Sequence, residues 1–270
     1  MKGSFSMLIA VLVLTVFGFS QQAPPAIPST GFAGLDQYRA SRIAMFTDDY
    51  GQLARYRDAN AALKAPAAGE SRVVFFGDSL TYMGARPGGY ILKMKDALDK
   101  KNQGSDYELV GAGIGGNKVY DLYLRMDDDV LAQSPDIVFI WIGVNDVWHK
   151  ATYGTGTDAE KFEKFYTAII NKLLDRHIKV FLVTPAVIGE KTDYTNQQDG
   201  DLNAYTQIIR NLAQKFHTGL VDMREVFHTY ELKNNPGNKE SGILTVDRVH
   251  LNDAGNQLVA DNMLEALLSK

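Results

Sequence analysis

From residue 72 onward, short apolar runs alternate with longer segments whose apolar residues recur at helical spacing. The runs predict five strands, at 72–77, 107–110, 136–142, 179–184 and 219–222. The spaced segments predict helices at 89–101, 118–133, 158–176, 201–216, 222–232 and 253–268. Because strands and helices alternate along the chain, we expect an α/β protein with a parallel sheet covered by helices on both faces.

The third predicted strand is apolar at every position from Ile137 to Ile142. A strand that is buried on both faces has this composition, so it should lie in the middle of the sheet. No helix is predicted between this strand and residue 158. The polar stretches 186–200 and 233–246 predict surface loops near the functional end of the sheet.

The segment before residue 72 predicts an N-terminal extension of the same domain. Residues 21–34 are rich in proline and small residues, which indicates a linker. Two helix-like stretches follow, at about 35–46 and 50–63, and Pro66 ends the second. We therefore expect one domain at 35–270, in which 35–65 form a helical extension.

The first 20 residues resemble a signal peptide. Lys2 precedes an almost unbroken apolar run from Met7 to Phe19, and Gly18 and Ser20 place small residues before a cut after Ser20. The run is shorter than the roughly 20 apolar residues of a membrane span, although an uncleaved anchor is the alternative. No cysteine follows that could carry a lipid. We expect a secreted or periplasmic protein with no stable membrane insertion after cleavage.

Composition narrows the classes of function. The chain has 270 residues, of which 45% are hydrophobic, enough for one domain with a substantial core. Its formal net charge of −4 gives no reason to expect nucleic acid as a partner. Because the chain has no cysteine, a disulfide framework, a thiolate metal site and a cysteine nucleophile are all excluded.

The first predicted strand ends abruptly in Gly77-Asp78-Ser79. Ligands of α/β proteins bind just beyond the carboxyl ends of the parallel strands, where a serine on a tight turn can present its hydroxyl. We interpret Ser79 as a nucleophile. Serine needs a base to remove its proton and donors to hold the oxyanion, so the chain should supply both.

Two stretches offer oxyanion donors. A glycine-rich turn at 111–117 follows the second strand, and its backbone N–H groups open a helix, where negative charge is favoured. Asn145 follows the third strand and offers a side-chain N–H₂. A tight strand-to-helix turn and an ordinary turn residue are the respective alternatives. Asp146 is better interpreted as a structural partner than as a catalytic acid.

Asp247 and His250 lie three residues apart before the last predicted helix, which Asn252 or Asp253 would cap. On a turn, the carboxylate can hold one imidazole nitrogen while the other faces the serine. The alternative is a lone histidine beside a capped helix. That alternative applies to the three remaining histidines after residue 150, which have no matching acid at a strand end: His177, His217 and His228.

Taken in this order, the four stretches resemble the SGNH (GDSL) hydrolase family over about residues 70–268. The resemblance implies a flavodoxin-like three-layer α/β/α fold with a five-stranded parallel sheet, and hydrolysis of esters or thioesters without a metal or organic cofactor. It implies a nucleophile at Ser79, oxyanion donors at Ser79, Gly116 and Asn145, an acid at Asp247 and a base at His250. The glycine-rich turn at 111–117 departs from the Asn-x-Gly-x-Ser-Gly pattern that is common in the family, because Gly111 and Gly115 stand in place of the asparagine and the serine. Whether Gly115 or Gly116 is the donor therefore stays open.

Two segments are similar to bacterial carbohydrate esterases, which remove acetyl groups from polysaccharides: 46–60 and 143–148. We therefore expect a small-molecule or polysaccharide acyl ester as substrate, with Asp78, Trp148 and His149 as binding residues and Tyr153 nearby. Packing as a loop anchor is the alternative for Trp148. A lysophospholipase or thioesterase acting on lipids is the alternative enzyme, and a non-catalytic carbohydrate-binding protein is the alternative from another class. The oligomeric state stays open.

Overall fold

The computed structural model describes Gly31 and residues 55–269. The predicted signal peptide, the linker apart from Gly31 and the helix at 35–46 therefore lie outside the described residues. The strands are β1 (Ser71–Gly77), β2 (Tyr107–Gly113), β3 (Ile137–Trp141), β4 (Lys179–Val183) and β5 (Gly219–Val221). The helices are α1 (Arg57–Ala62), α2 (Ser79–Gly84), α3 (Tyr90–Lys100), α4 (Val119–Asp129), α5 (Val144–Tyr153), α6 (Ala159–Leu174), α7 (Asp199–Phe216), α8 (Met223–Asn234) and α9 (Asp253–Leu268), with a 3₁₀ turn at Leu131–Gln133.

The five strands form one parallel sheet in the order β2-β1-β3-β4-β5, which confirms the predicted α/β architecture. This is the flavodoxin-like order, in which the winding direction reverses between β1 and β3. In such sheets the ligand crevice opens at the reversal, beyond the carboxyl ends of the strands. The ends of β1 and β3 are therefore where a site is expected.

A row of stacked aromatic rings crosses the middle of the sheet. The register places Phe75 of β1 beside Phe139 of β3, and Phe139 beside Phe181 of β4. Their ring centroids lie 5.2 Å and 4.5 Å apart with nearly parallel planes. All three are buried, and burying each contributes about 2–3 kcal/mol. A register slip would break this row, so the rings help to align the strand ends that carry the site.

Helices cover both faces of the sheet. On the face with the phenylalanine row, Tyr90 of α3 packs edge-on against Phe75 and Trp141. On the opposite face, Tyr166 of α6 donates a hydrogen bond to Ile140 O of β3 at 3.1 Å. Among the described residues, no helix combines the length and apolar character that crossing a bilayer requires.

The N-terminal extension contributes one described helix, α1, which is shorter than the predicted segment and buries none of its own residues. It contacts the main domain through polar groups instead. Tyr56 donates a hydrogen bond to Gly113 O at the end of β2, and Asn60 donates to Asp129 Oδ1 at 3.0 Å. Residues 56–60 therefore lie against the ends of β2 and α4.

The segment after β3 differs from the prediction, because residues 144–153 form the helix α5. Gly143 has a φ of 126°, a conformation that glycine adopts without strain and that turns the chain sharply from strand to helix. Only the first turn of α5 is buried, through Val144 to Val147. The rest is polar and partly exposed, so the apolar periodicity was too short to reveal the helix.

The predicted surface loop at 186–200 is also corrected. Its first half is buried, since Ala186, Val187, Ile188 and Glu190 are each at most 3% exposed. It packs against the chain before α9, where Gly189 N donates to Arg248 O at 2.9 Å. The apolar triplet at 186–188 is the sequence signal for this burial.

Candidate active site

Ser79 is the first residue of α2 and follows the end of β1 by two residues. Asp78 caps the helix, because its Oδ1 accepts a hydrogen bond from Leu80 N at 3.0 Å. This cap starts the helix at the serine rather than later. Ser79 itself is half-buried and lies beyond the carboxyl ends of the strands, where the crevice opens.

Asp78, expected from the sequence to bind substrate, is buried in this structure and caps α2. Its side chain turns into the domain to cap α2, and the residue is 1% exposed. Burial, opposed only in part by the bond from Leu80, raises the pKa of Asp78 to about 7. The residue therefore supports the helix that carries Ser79.

Ser79, His250 and Asp247 form a continuous chain of hydrogen bonds. The Ser79 hydroxyl lies 2.9 Å from His250 Nε2, and His250 Nδ1 lies 2.7 Å from Asp247 Oδ2. Burial favours the neutral form of Asp247, but the hydrogen bonds from the His250 ring and backbone outweigh it and lower the pKa of Asp247. The carboxylate is therefore ionised at neutral pH and can hold the imidazole in one tautomer.

The loop that carries the acid and the histidine is tightly closed. Val246 N donates to His250 O at 2.7 Å, so the chain reverses within five residues. Asp247 Oδ1 accepts from the backbone N–H groups of Val249 and His250, at 3.2 Å and 2.8 Å. Arg248 takes a φ of 83°, which is strained for a residue with a side chain. The strained residue lies between Asp247 and His250, in the turn that places the carboxylate against Nδ1 of the imidazole.

Glu190 holds the chain that leads into this loop. Its carboxylate is fully buried and accepts hydrogen bonds from Ile243 N, Leu244 N and Thr245 N at 2.8, 2.7 and 2.6 Å. Three bonds to an ionised acceptor compensate for its removal from water. No residue pattern marks Glu190 in the sequence, because its partners are backbone groups more than 50 positions away.

A second buried carboxyl, Glu231 on α8, has no such partners. It is 2% exposed, and its buried Oε1 forms no hydrogen bond with any described residue. Burial, together with the charge of Glu190, raises the pKa of Glu231 to about 8. Glu231 is therefore protonated at neutral pH.

This burial makes folding stability pH-dependent. Between the unfolded pKa of about 4.3 and the folded pKa of about 8, the folded state keeps a proton that the unfolded state has lost. Stability should therefore fall as pH rises through this window. We expect Glu231→Gln to match the parent at pH 4 and to exceed it by at least about 2 kcal/mol at pH 9, measured by urea unfolding. Glu225→Gln, on the exposed side of α8, is the control. Equal stability of Glu231→Gln and the parent at pH 9 would contradict the assignment.

The glycine turn at 114–117 borders the space in front of the serine. Asn117 N donates a hydrogen bond to Ile114 O at 3.2 Å, and Gly116 has a φ of 79°, as in a type II turn. A Cβ on Gly115 would lie 3.9 Å from Ser79 Cβ, and one on Gly116 would lie 3.8 Å from His149 Cε1. Within residues 55–269, the backbone N–H groups of both glycines have no hydrogen-bond partner. Either can serve as an oxyanion donor.

Asn145 lies in the first turn of α5 and is 2% exposed. Its Nδ2 donates to Asn117 O at 3.1 Å, and since a carbonyl oxygen only accepts, this contact sets the orientation of the amide. The second N–H of Nδ2 has no partner among the described residues. The neighbouring Asp146 is fully buried and accepts from Val119 N at 3.3 Å, so it joins α5 to α4.

An aromatic group on α5 adjoins the triad: Trp148, His149 and Tyr153. Because the first two follow Asn145 by three and four positions, helical spacing places them on the same side as the amide. The Trp148 ring lies 6.2 Å from the His250 ring, and His149 lies 4.9 Å from Tyr153. Burial and the nearby Lys118 lower the pKa of His149 to about 4, so His149 is neutral at physiological pH. Tyr153 is 66% exposed.

The GDSL-like lipase/acylhydrolase family matches residues 75–258, more than half of the chain and every site residue described above. The chain belongs to this family. It is an SGNH hydrolase, and therefore a carboxylic ester hydrolase. The family match and the sheet order agree, since the parallel five-stranded sheet is also that of the similar solved structures.

Two solved structures and two curated sequences illustrate the similarity. The acetyl xylan esterase AlAXEase is 61% identical with a TM-score of 0.72, over 73% of this chain and 100% of that chain. LAE5, an α/β hydrolase from the Lake Arreo metagenome, is 26% identical with a TM-score of 0.66, over 75% of this chain and 97% of its own. The acetylxylan esterase of Geobacillus stearothermophilus is 28% identical, over 73% of this chain and 93% of its own. The uncharacterized lipoprotein YqeF of Bacillus subtilis (strain 168) is 25% identical, over 72% of this chain and 88% of its own.

Proposed function

We propose that this esterase removes acetyl groups from carbohydrate through an acyl-enzyme formed on Ser79. The observation that carries the proposal is the unbroken hydrogen-bond chain from Ser79 through His250 to Asp247. This arrangement supplies a nucleophile, a base and a group that orients the base.

In the first half of the reaction, His250 Nε2 takes the hydroxyl proton while Ser79 Oγ bonds to the acetyl carbonyl carbon. The carbonyl oxygen becomes an oxyanion, held by the backbone N–H of Ser79, one glycine N–H of the 114–117 turn and the Asn145 amide. The C–O bond to the sugar then breaks, and the sugar oxygen takes the proton from His250. In the second half, water repeats the attack, acetate leaves and Ser79 recovers its proton.

The relatives and the aromatic group support a carbohydrate substrate. Two of the similar proteins are acetylxylan esterases, one of them 61% identical. The half-buried ring of Trp148 lies 6.2 Å from the His250 ring, and the exposed ring of Tyr153 packs against His149 of the same helix. Aromatic faces are common partners of sugar rings.

Export is part of the proposal, because a polysaccharide substrate lies outside the cytoplasm. It depends on the signal-like pattern of the first 20 residues. The lipoprotein name of YqeF is compatible with it. N-terminal sequencing of protein recovered outside the cytoplasm tests the cut after Ser20.

A series of p-nitrophenyl esters from acetate to palmitate, combined with acetylated xylan, tests the substrate. We expect kcat/KM to be highest for acetate and at least about tenfold lower for octanoate. Longer chains need an apolar pocket, and the segments 147–157 and 186–200 contain no long apolar stretch to line one. Acetate should also be released from acetylated xylan, and Ser79→Ala measures the background.

Each failure of this test has a separate meaning. A maximum at eight carbons or longer would replace the carbohydrate ester with a lipid ester as substrate. Rapid hydrolysis of p-nitrophenyl acetate without release from acetylated xylan would reject this polymer and keep the acetyl preference.

A further inference from the structure

A buried arginine, Arg125, lies beneath the oxyanion donors. Arg125 of α4 is 1% exposed, and its side chain is held between the sheet and α4. Its Nη2 donates to Gly77 O and to Ala112 O, both at 2.8 Å, so it joins the ends of β1 and β2. Its Nη1 pairs with Asp129 at 2.9 Å, which balances the charge. Arg125 thus touches the two strands that lead into Ser79 and the glycine turn.

The fourth contact of Arg125 reaches the oxyanion site. Its Nε donates to Asn117 Oδ1 at 2.7 Å, and the backbone carbonyl of Asn117 accepts from Asn145 Nδ2 at 3.1 Å. The path from Arg125 to the Asn145 amide therefore passes through one residue, Asn117, which is itself 3% exposed. Asn117 also ends the turn that carries Gly115 and Gly116.

We propose that Arg125 and Asn117 are positioning residues that hold the Asn145 amide and the glycine turn in the geometry that binds the oxyanion. Neither touches the reacting atoms. The proposal rests on the oxyanion role of Asn145 given above. Position 125 requires an arginine, because only the planar guanidinium group presents Nε, Nη1 and Nη2 in fixed directions to four acceptors at once.

The physical reason is that oxyanion donors act only when aimed in advance at the developing charge. A side-chain amide rotates freely unless a neighbour holds it, and an amide that is turned away contributes nothing to the transition state. Ground-state binding of the ester does not use this donor. Loss of the positioning residues should therefore lower kcat and leave KM nearly unchanged.

Asn117→Ala is the first test. We expect kcat for p-nitrophenyl acetate to fall about tenfold or more, part of the 10²–10³ loss that removal of the Asn145 amide itself should cause. KM should change by less than about twofold. Asn117→Asp keeps the acceptor for Arg125 and should retain most of the parent's kcat.

Asn60→Ala is the matched control. Asn60 belongs to the same buried network, since it donates to Asp129 Oδ1 at 3.0 Å and accepts from Gln133 Nε2 at 2.9 Å. It lies on the side of Asp129 away from the crevice. This variant removes the three side-chain hydrogen bonds of Asn60, including one to Asp128 O at 3.0 Å, so it reports a general loss of packing, and its kcat should stay within about twofold of the parent.

A double-mutant cycle separates positioning from a merely structural effect. If Asn117 acts through Asn145, then Asn117→Ala should cost nothing further once Asn145→Ala is present. The proposal would be overturned if the kcat of the double variant fell by the product of the two single-variant losses. Equal kcat for Asn117→Ala and Asn60→Ala would also overturn it. If Asn117→Ala fails to fold, Arg125→Lys replaces it in the cycle, because lysine keeps the charge beside Asp129 but loses the fork. Acetate release at the parental rate by Ser79→Ala would instead refute the proposed mechanism, independently of this cycle.

Discussion

Replacing Ser79 with alanine should lower kcat by at least about 10⁵-fold. Without the hydroxyl no acyl-enzyme forms, and His250 Nε2 loses the group that lies 2.9 Å away. The oxyanion donors stay in place, so slow hydrolysis by direct attack of water is the only route left. Single-turnover and steady-state release of p-nitrophenol from the acetate ester measure the loss.

The control for this variant is Ser71→Ala. Ser71 lies at the opposite end of the same strand, half-buried and away from the crevice, so its loss should leave kcat unchanged. Thermal unfolding should show that both variants fold, because Ser79 contributes only a partly buried hydroxyl. A Ser79→Ala protein that still releases acetate at the parental rate would show that another group is the nucleophile.

Replacing Asp247 with asparagine should lower kcat about 10³- to 10⁴-fold. The backbone bonds from Val249 and His250 can still be accepted by the amide oxygen, so the loop should persist. The group facing His250 Nδ1 then donates instead of accepting, which favours the tautomer with its proton on Nε2. That nitrogen can no longer take the proton of Ser79.

Asp253→Asn provides the comparison for Asp247→Asn. Asp253 is an exposed carboxylate that pairs with Lys93 at 2.8 Å and lies three residues beyond His250. We expect normal kcat for it, measured with p-nitrophenyl acetate at neutral pH. If Asp247→Asn retained more than about a tenth of the parental kcat, the carboxylate would not be the orienting group.

Periodicity predicted the sheet well, because its three central strands β1, β3 and β4 are buried on both faces along most of their length and form apolar runs in the sequence. β3 is the clearest example, with every residue from Ile137 to Trp141 buried. It predicted α5 poorly, since only the first turn of that helix is buried.

The sequence alone determined the strands and most helices, the family, and the residue types needed for ester hydrolysis, from Gly-Asp-Ser to Asp-x-x-His. Local spacing carries this information because propensity, apolar period and short motifs depend on near neighbours. Only the tertiary structure decided how Glu190 holds the loop of Asp247 and His250, and how Arg125 reaches Asn117 and two strand ends. Burial of either side chain is tolerated only because hydrogen-bond partners compensate for its removal from water, and no local pattern encodes a partner that folding alone brings within hydrogen-bond distance.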